Sequence, residues 1–132
     1  MRILIIGGEG TIGKKVVSFL SKSHSVITAG RKNGEISLDL SNKNSIKQLF
    51  ENNIKFDAVI SIAGQVIWAP FEDLSQDEFY VGINNKMMGQ VSLVQIAQNY
   101  ISPGGSITLT TGILADQPVK MTTGAALVNG GI

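Results

Sequence analysis

Four glycines near the start of the chain, Gly7, Gly8, Gly10 and Gly13, carry its clearest chemistry. Gly8, Gly10 and Gly13 satisfy G-x-G-x-x-G, while Gly7, Gly10 and Gly13 satisfy the overlapping G-x-x-G-x-x-G. Without Cβ atoms the backbone can take positive φ, and a phosphate can approach the amides closely. Thr11 and Ile12 complete the turn. The amides that open the following helix are unpaired and carry a partial positive charge, so a pyrophosphate is a natural occupant. The expected contacts of a bound dinucleotide are Gly7, Gly8, Gly10, Thr11, Ile12 and Gly13. The competing reading is a glycine-rich turn that serves only packing.

A second group lies after the apolar run Ser25 to Ala29, where Gly30, Arg31, Lys32 and Asn33 follow. A site for NAD usually carries Asp or Glu at this point to take both ribose hydroxyls. Here no acid stands at the strand end. The Arg31 guanidinium can instead grip a 2′-phosphate bidentately, with Lys32 beside it, which favours NADP(H) over NAD. The alternative is a solvated basic turn. Glu35 is the nearest acid and lies too far along to be the ribose ligand.

Other chemistries lack residues. Zero cysteines remove disulfides, thiolate metal sites and cysteine nucleophiles, and the single histidine, His24, leaves nothing from which to build a zinc site or a His-based triad. No metal is expected, and His24 is expected to be exposed. Eleven basic and ten acidic residues leave a formal charge of +1 with no Lys/Arg run longer than two, which argues against nucleic acid as a partner. No apolar run approaches the ~18 residues that a bilayer span needs. The chain opens directly on a strand, so a cytoplasmic location is expected.

The elements that must position these groups follow from periodicity. Ile3 to Ile6 reads as a buried parallel strand, and Ile12, Val16 and Leu20 share a helix face, so the first stretch is a β-α-β unit. Glu35 to Leu40 reads as a short third strand, Ser41 as an N-cap, and Ile46, Leu49, Phe50 and Asn53 as a second helix. Phe56 to Ala63 reads as a central strand. The loop after it carries Trp68, for which packing is preferred over lining a substrate pocket. Ser75 and Glu78 form a capping box that opens a long helix, whose buried face is expected to carry Phe79, Ile83, Met87, Val91, Val94 and Ala97. Pro103, Gly104 and Gly105 should stop it, and Ser106 to Thr110 should form another strand. Thr111 to Thr123 reads as loop. A small-residue helix from Ala125 then has an apolar face with no evident partner before Ile132. The expected architecture is α/β, one domain over residues 1–132, with a doubly wound parallel sheet of Rossmann type that lacks its last strands.

With GGEGTIG, the AGR at the second strand end, LDL and SIAG in place, the chain resembles the N-terminal two-thirds of a short-chain dehydrogenase/reductase. The resemblance implies that Asp39 holds the adenine amine, with Leu40 beside it, and that Ala63 and Gly64 pack against the cofactor ribose. It also implies a tetrad of Asn, Ser, Tyr and Lys, laid without gaps on Asn84, Gly112, Ala125 and Asn129. Asn84 keeps its family residue. Thr111 stands next to the serine position and could supply its hydroxyl, while Asn129 can still bond ribose hydroxyls. The Y-x-x-x-K pair is missing, and Tyr80 or Lys120 are weaker candidates for a substitute acid. Two functions are compatible with this pattern: an NADP(H)-dependent oxidoreductase with a small-molecule carbonyl or alcohol substrate, or a non-catalytic NADP(H)-binding or sensing protein. Family members pair through their fourth and fifth helices, so a homo-oligomer is expected.

Overall fold

The computed structural model describes residues 1–53 and 55–132. Strand β1 (Arg2–Ile6) is apolar throughout after Arg2 because both of its faces and both of its edges are covered. Leu4 and Ile6 point into one core with Leu38, Leu40, Ile46, Leu49, Phe50, Phe56, Val59, Leu93 and Ala97. Ile3 and Ile5 point into the other, with Ala58 and the half-buried Val16, Val17 and Leu20. This period-two division is what a central parallel strand requires.

Helix α1 (Thr11–Leu20) and strand β2 (Ser25–Gly30) complete the first β-α-β unit, with Ile3 opposite Val26 and Ile6 opposite Ala29. Strand β3 (Ile36–Ser37) and helix α2 (Lys43–Glu51) follow, then strand β4 (Phe56–Ser61), which pairs with β1 on its other side. Helix α3 (Gln76–Gly82), a π-type turn (Ile83–Met87) and helix α4 (Met88–Ala97) run end to end. Strand β5 (Ile101–Thr108) and helix α5 (Thr123–Gly130) close the order. The sheet is parallel, ordered β3-β2-β1-β4-β5, so the doubly wound expectation holds. The order reverses between β1 and β4, and a crevice opens there at the carboxyl ends. Among the described residues no helix is long and apolar enough to cross a membrane.

Several expectations need correction. β3 is confined to Ile36–Ser37 at the sheet edge, since Leu38 and Leu40 turn into the core. Asn42, not Ser41, caps α2, accepting from the Asn44 and Ser45 amides, because Ser41 is already bonded to Asp39. The Pro103-Gly104-Gly105 stretch lies inside β5 as an irregularity, with Gly104 at φ +78°, and α4 has ended by Ala97. α5 begins at Thr123, and its apolar face does find a partner: Ala125 and Val128 are buried, with Val128 against Gly82. His24 is half-buried rather than exposed, and Trp68 is exposed rather than packed.

The largest departure concerns the long helix. Its capping box forms as expected, with the Glu78 amide bonded to Ser75 Oγ and the Ser75 amide bonded to Glu78 Oε2 at 2.9 Å. Beyond Gly82 the π turn takes an extra residue and rotates the following face. The buried residues of α4 become Gly89, Gln90, Ser92, Leu93 and Ala97, while Val91 is 37% exposed. Two close approaches bracket the turn. A Cβ on Gly82 would stand 3.1 Å from Val128 Cγ1, and one on Gly89 would stand 3.1 Å from the Leu40 carbonyl oxygen.

Candidate functional site

The glycine loop divides its labour. Gly7 has φ +84°, and its amide bonds to the Ala29 carbonyl at 2.8 Å, which turns the chain off β1. Gly8 and Gly13 are buried where loop, helix and strand meet. A Cβ on Gly8 would stand 2.7 Å from Thr28 Cγ2, and one on Gly13 would collide with the Gly7 carbonyl oxygen. Gly10 differs: a Cβ there meets only the Gly7 oxygen, at 3.3 Å. It is the N-cap of α1, no side chain caps it, and no acid stands in the first turn. Gly10, Thr11 and Ile12 are exposed, so an amide-lined crest faces outward at the carboxyl end of β1. These features fit a pyrophosphate: an exposed helix N-terminus, its dipole and no carboxylate in the first turn of α1.

A narrow cleft of about 170 Å³ opens at the carboxyl ends of the strands, lined by Ile6, Arg31, Asp39, Leu40, Ala63 and Gly64. Gly7 backs directly on its wall, since a Cβ there would stand 2.9 Å from the Ala63 amide nitrogen. The Asp39 Oδ1 accepts from Ser41 Oγ at 2.7 Å and from the Ser41 amide at 2.9 Å. Those two bonds, with the Arg31 charge nearby, hold its carboxyl below the usual range, so it is an acceptor at neutral pH. Arg31 reaches across the cleft mouth, donating from Nη2 to Gln65 Oε1 at 2.9 Å. The Gln65 amide in turn donates to Asn85 Oδ1 at 3.1 Å. The chain Arg31–Gln65–Asn85 thus joins the end of β2, the loop after β4 and the π turn.

A wider cleft of about 700 Å³ adjoins it, and Arg31, Lys43, Tyr80, Asn84 and Met88 are on its wall. Asn84 and Tyr80 are exposed there. From the π turn Lys86 reaches α5, and Met87 lies against its C-cap Gly131. The Lys86 Nζ donates to Asn129 Oδ1, and its stem lies on Gly64, where a Cβ would stand 2.8 Å from Lys86 Cδ. Asn129 is 6% exposed, and its backbone carbonyl accepts from Thr111 Oγ1 at 2.6 Å. Gly112 stands where the resemblance implies serine, and a Cβ there would lie 2.9 Å from Asn129 Nδ2. Ala125 is 3% exposed and offers only a methyl group.

The structure therefore brings together Ala63 and Gly64 with Asp39, Leu40 and Arg31 around one cleft, with Gly7 behind Ala63, and joins Thr111 to Asn129, which reaches Gly64 only through Lys86. It leaves Asn84 on the neighbouring wall. Sequence reasoning missed Gln65, Asn85, Lys86 and Gln90, because nothing in INNKM announces a π turn. Burial lowers the Lys86 pKa below the ordinary lysine value, as desolvation disfavours an ammonium.

The NAD dependent epimerase/dehydratase family matches residues 3–107. No curated protein matches the sequence. Among solved structures, the protein lin1944 from Listeria innocua is 39% identical, with a TM-score of 0.96 over 99% of this chain and 66% of that one. A small-chain dehydrogenase in complex with NADPH is 28% identical, with a TM-score of 0.90 over 99% of this chain and 59% of its own. A short chain dehydrogenase from Leptospira borgpetersenii with bound NAD+ is 26% identical, with a TM-score of 0.82 over 99% of this chain and 61% of its own. The chain thus spans roughly three fifths to two thirds of these relatives and carries their nucleotide-binding fold. It belongs to the NAD dependent epimerase/dehydratase family, within the short-chain dehydrogenases and reductases.

Proposed function

We propose that this chain binds NADP(H) and serves an oxidoreductase of the short-chain type that acts on a small carbonyl or alcohol. The observation that carries the choice of nucleotide is Arg31 at the carboxyl end of β2, held at the cleft mouth by Gln65, with no acid in the Gly30–Asn33 stretch where the strand ends. Glu35 is occupied elsewhere: its Oε1 accepts from the Thr28 amide at 3.1 Å, and its own amide donates to Thr28 Oγ1 at 3.2 Å. It extends the sheet edge and leaves the 2′ position to the guanidinium. One similar protein has NADPH bound and another NAD+, so the preference is argued from Arg31.

When bound, the nucleotide supplies or accepts hydride. The chain does the rest. Amides of the Gly7–Gly13 loop and the α1 dipole hold the pyrophosphate, Asp39 accepts from the adenine amine beside Leu40, and Ala63 and Gly64 pack against the ribose. Asn129 offers its amide to ribose hydroxyls, and Asn84 and Thr111 attend the substrate end. A second reading, an NADP(H) binder without catalysis, is favoured by Ala125, whose buried methyl has no proton to give.

The test is a paired titration with NADPH and NADH by nicotinamide fluorescence or calorimetry. Tighter NADPH binding that falls by roughly tenfold or more on Arg31→Ala, with NADH unaffected, is the expected result. Equal binding of both nucleotides by the unmodified protein would sink the preference. Turnover on a carbonyl panel separates the oxidoreductase from the binder.

A further inference from the structure

Resting on the NADP(H) reading, we propose that Lys86, positioned by Asn129, faces the bound nucleotide and supplies the proton to the substrate oxygen.

The argument begins with where the lysine stands. Three consecutive side chains of the π turn serve three different places. Asn84 lines the wider cleft, Asn85 holds the Gln65 amide, and Lys86 runs over Gly64 to α5. Gly64 is itself a wall of the narrow cleft, so the lysine stem lies against that wall. Any side chain at position 64 would occupy the space of that stem.

The second observation is charge. Lys86 is half-buried, and its acceptor is a neutral amide oxygen. No carboxylate is within ion-pair reach of Lys86 among the described residues, and Lys47 pairs with Glu51 on α2 instead. An ammonium withdrawn from water without a carboxylate is costly to keep, and an oxygen that gains negative charge in its reach relieves the cost. The third is packing. Asn129 is buried, its backbone carbonyl accepts from Thr111 Oγ1, and its Oδ1 holds the lysine head on α5. Burial also lowers the Lys86 pKa, which makes the proton easier to give.

In the step this implies, hydride leaves the reduced nicotinamide for the carbonyl carbon, and the carbonyl oxygen takes a proton from Nζ. The products are an alcohol, the oxidised nucleotide and a neutral amine, which regains its proton from water. Lys86 thereby does what buried Ala125 cannot.

The experiment has a readout that needs no turnover. Acetic anhydride labelling of each lysine is followed by mass spectrometry from pH 6 to 10, with and without NADPH, alongside the NADPH titration itself. Lys86 is expected to react at lower pH than an ordinary lysine, and NADPH is expected to protect it at least severalfold. NADPH oxidation is then followed on a panel of aromatic and aliphatic aldehydes and ketones. Lys86→Met should keep NADPH affinity within about threefold and lose roughly 10²-fold or more in kcat. Lys86→Arg should fold and lose the basic limb of the pH profile, since a guanidinium does not titrate there. Asn129→Ala should move that limb.

NADPH binding that leaves Lys86 unprotected, or a Lys86→Met protein with an unchanged rate, overturns the assignment and leaves the cofactor reading standing. Protection of Lys86 without turnover by the unmodified protein on the panel overturns the proton-donor role. Failure to bind NADPH at all overturns the underlying reading and this assignment with it, and the titration alone identifies that outcome.

Discussion

Gln90 of α4 brackets Thr110, just past the end of β5. Its Oε1 accepts from the Thr110 amide at 3.0 Å, and its Nε2 donates to the Thr110 carbonyl at 3.1 Å. The glutamine is fully buried, so it completes the strand ladder where β5 has run out of neighbours. Thr110 Oγ1 then donates to the Ser61 carbonyl at 2.6 Å, which ties β5 to β4 under the cleft. Thr111, next in the chain, holds Asn129.

Gln90→Leu should therefore leave one buried backbone donor and one acceptor unpaired, at a cost of roughly 2–4 kcal/mol. Denaturant unfolding measures it directly. A Gln90→Leu protein within about 0.5 kcal/mol of the unmodified one would mean that water or another group already serves Thr110.

The glycines of the loop should separate under substitution. Gly13→Ala drives a Cβ into the Gly7 carbonyl and to 2.8 Å from Gly8 Cα, so the β1–α1 contact opens and the protein unfolds or melts far below the unmodified chain. Gly10→Ala meets only the Gly7 oxygen at 3.3 Å, keeps its melting temperature within a few degrees, and loses NADPH affinity by roughly tenfold. Thermal melts and calorimetry on both variants distinguish packing from binding, and equal destabilisation by the two would refute the division.

Acid stability should reflect three carboxylates held below their ordinary range by bonds of the folded state. Asp39 is held by the Ser41 hydroxyl and amide, Asp57 by the Arg2 amide and Ser102, and Glu78 by the Ser75 amide and hydroxyl. A folded pKa below the unfolded one contributes stability that is complete above the unfolded value and lost as pH falls through the folded one. The loss is accordingly expected below the ordinary carboxylate values of 3.8 and 4.5. Urea midpoints between pH 6 and pH 2.5 should fall in that window, and Ser41→Ala should flatten part of the slope. A slope unchanged by that substitution would remove Asp39 from the account.

What the chain by itself determined is what neighbouring residues decide among themselves. The apolar run Ile3 to Ile6, the glycine spacing after it and the Ser75–Glu78 capping box are local, because strand pleat, turn sterics and helix capping act over one to four residues. The parallel sheet followed from their alternation, and Arg31 announced itself as a base where an acid was expected. Tertiary structure decided the rest. Arg31 meets Gln65 across 34 positions, and Lys86 meets Asn129 across 43. Neither pair has a spacing signal, since each depends on how helices seat on the finished sheet. The π turn is the clearest case. Its extra residue moved the buried face of α4 from Val91 to Gln90 and turned Lys86 toward α5, and it is framed by two glycine approaches, to Val128 and to Leu40, that exist only once the elements are packed.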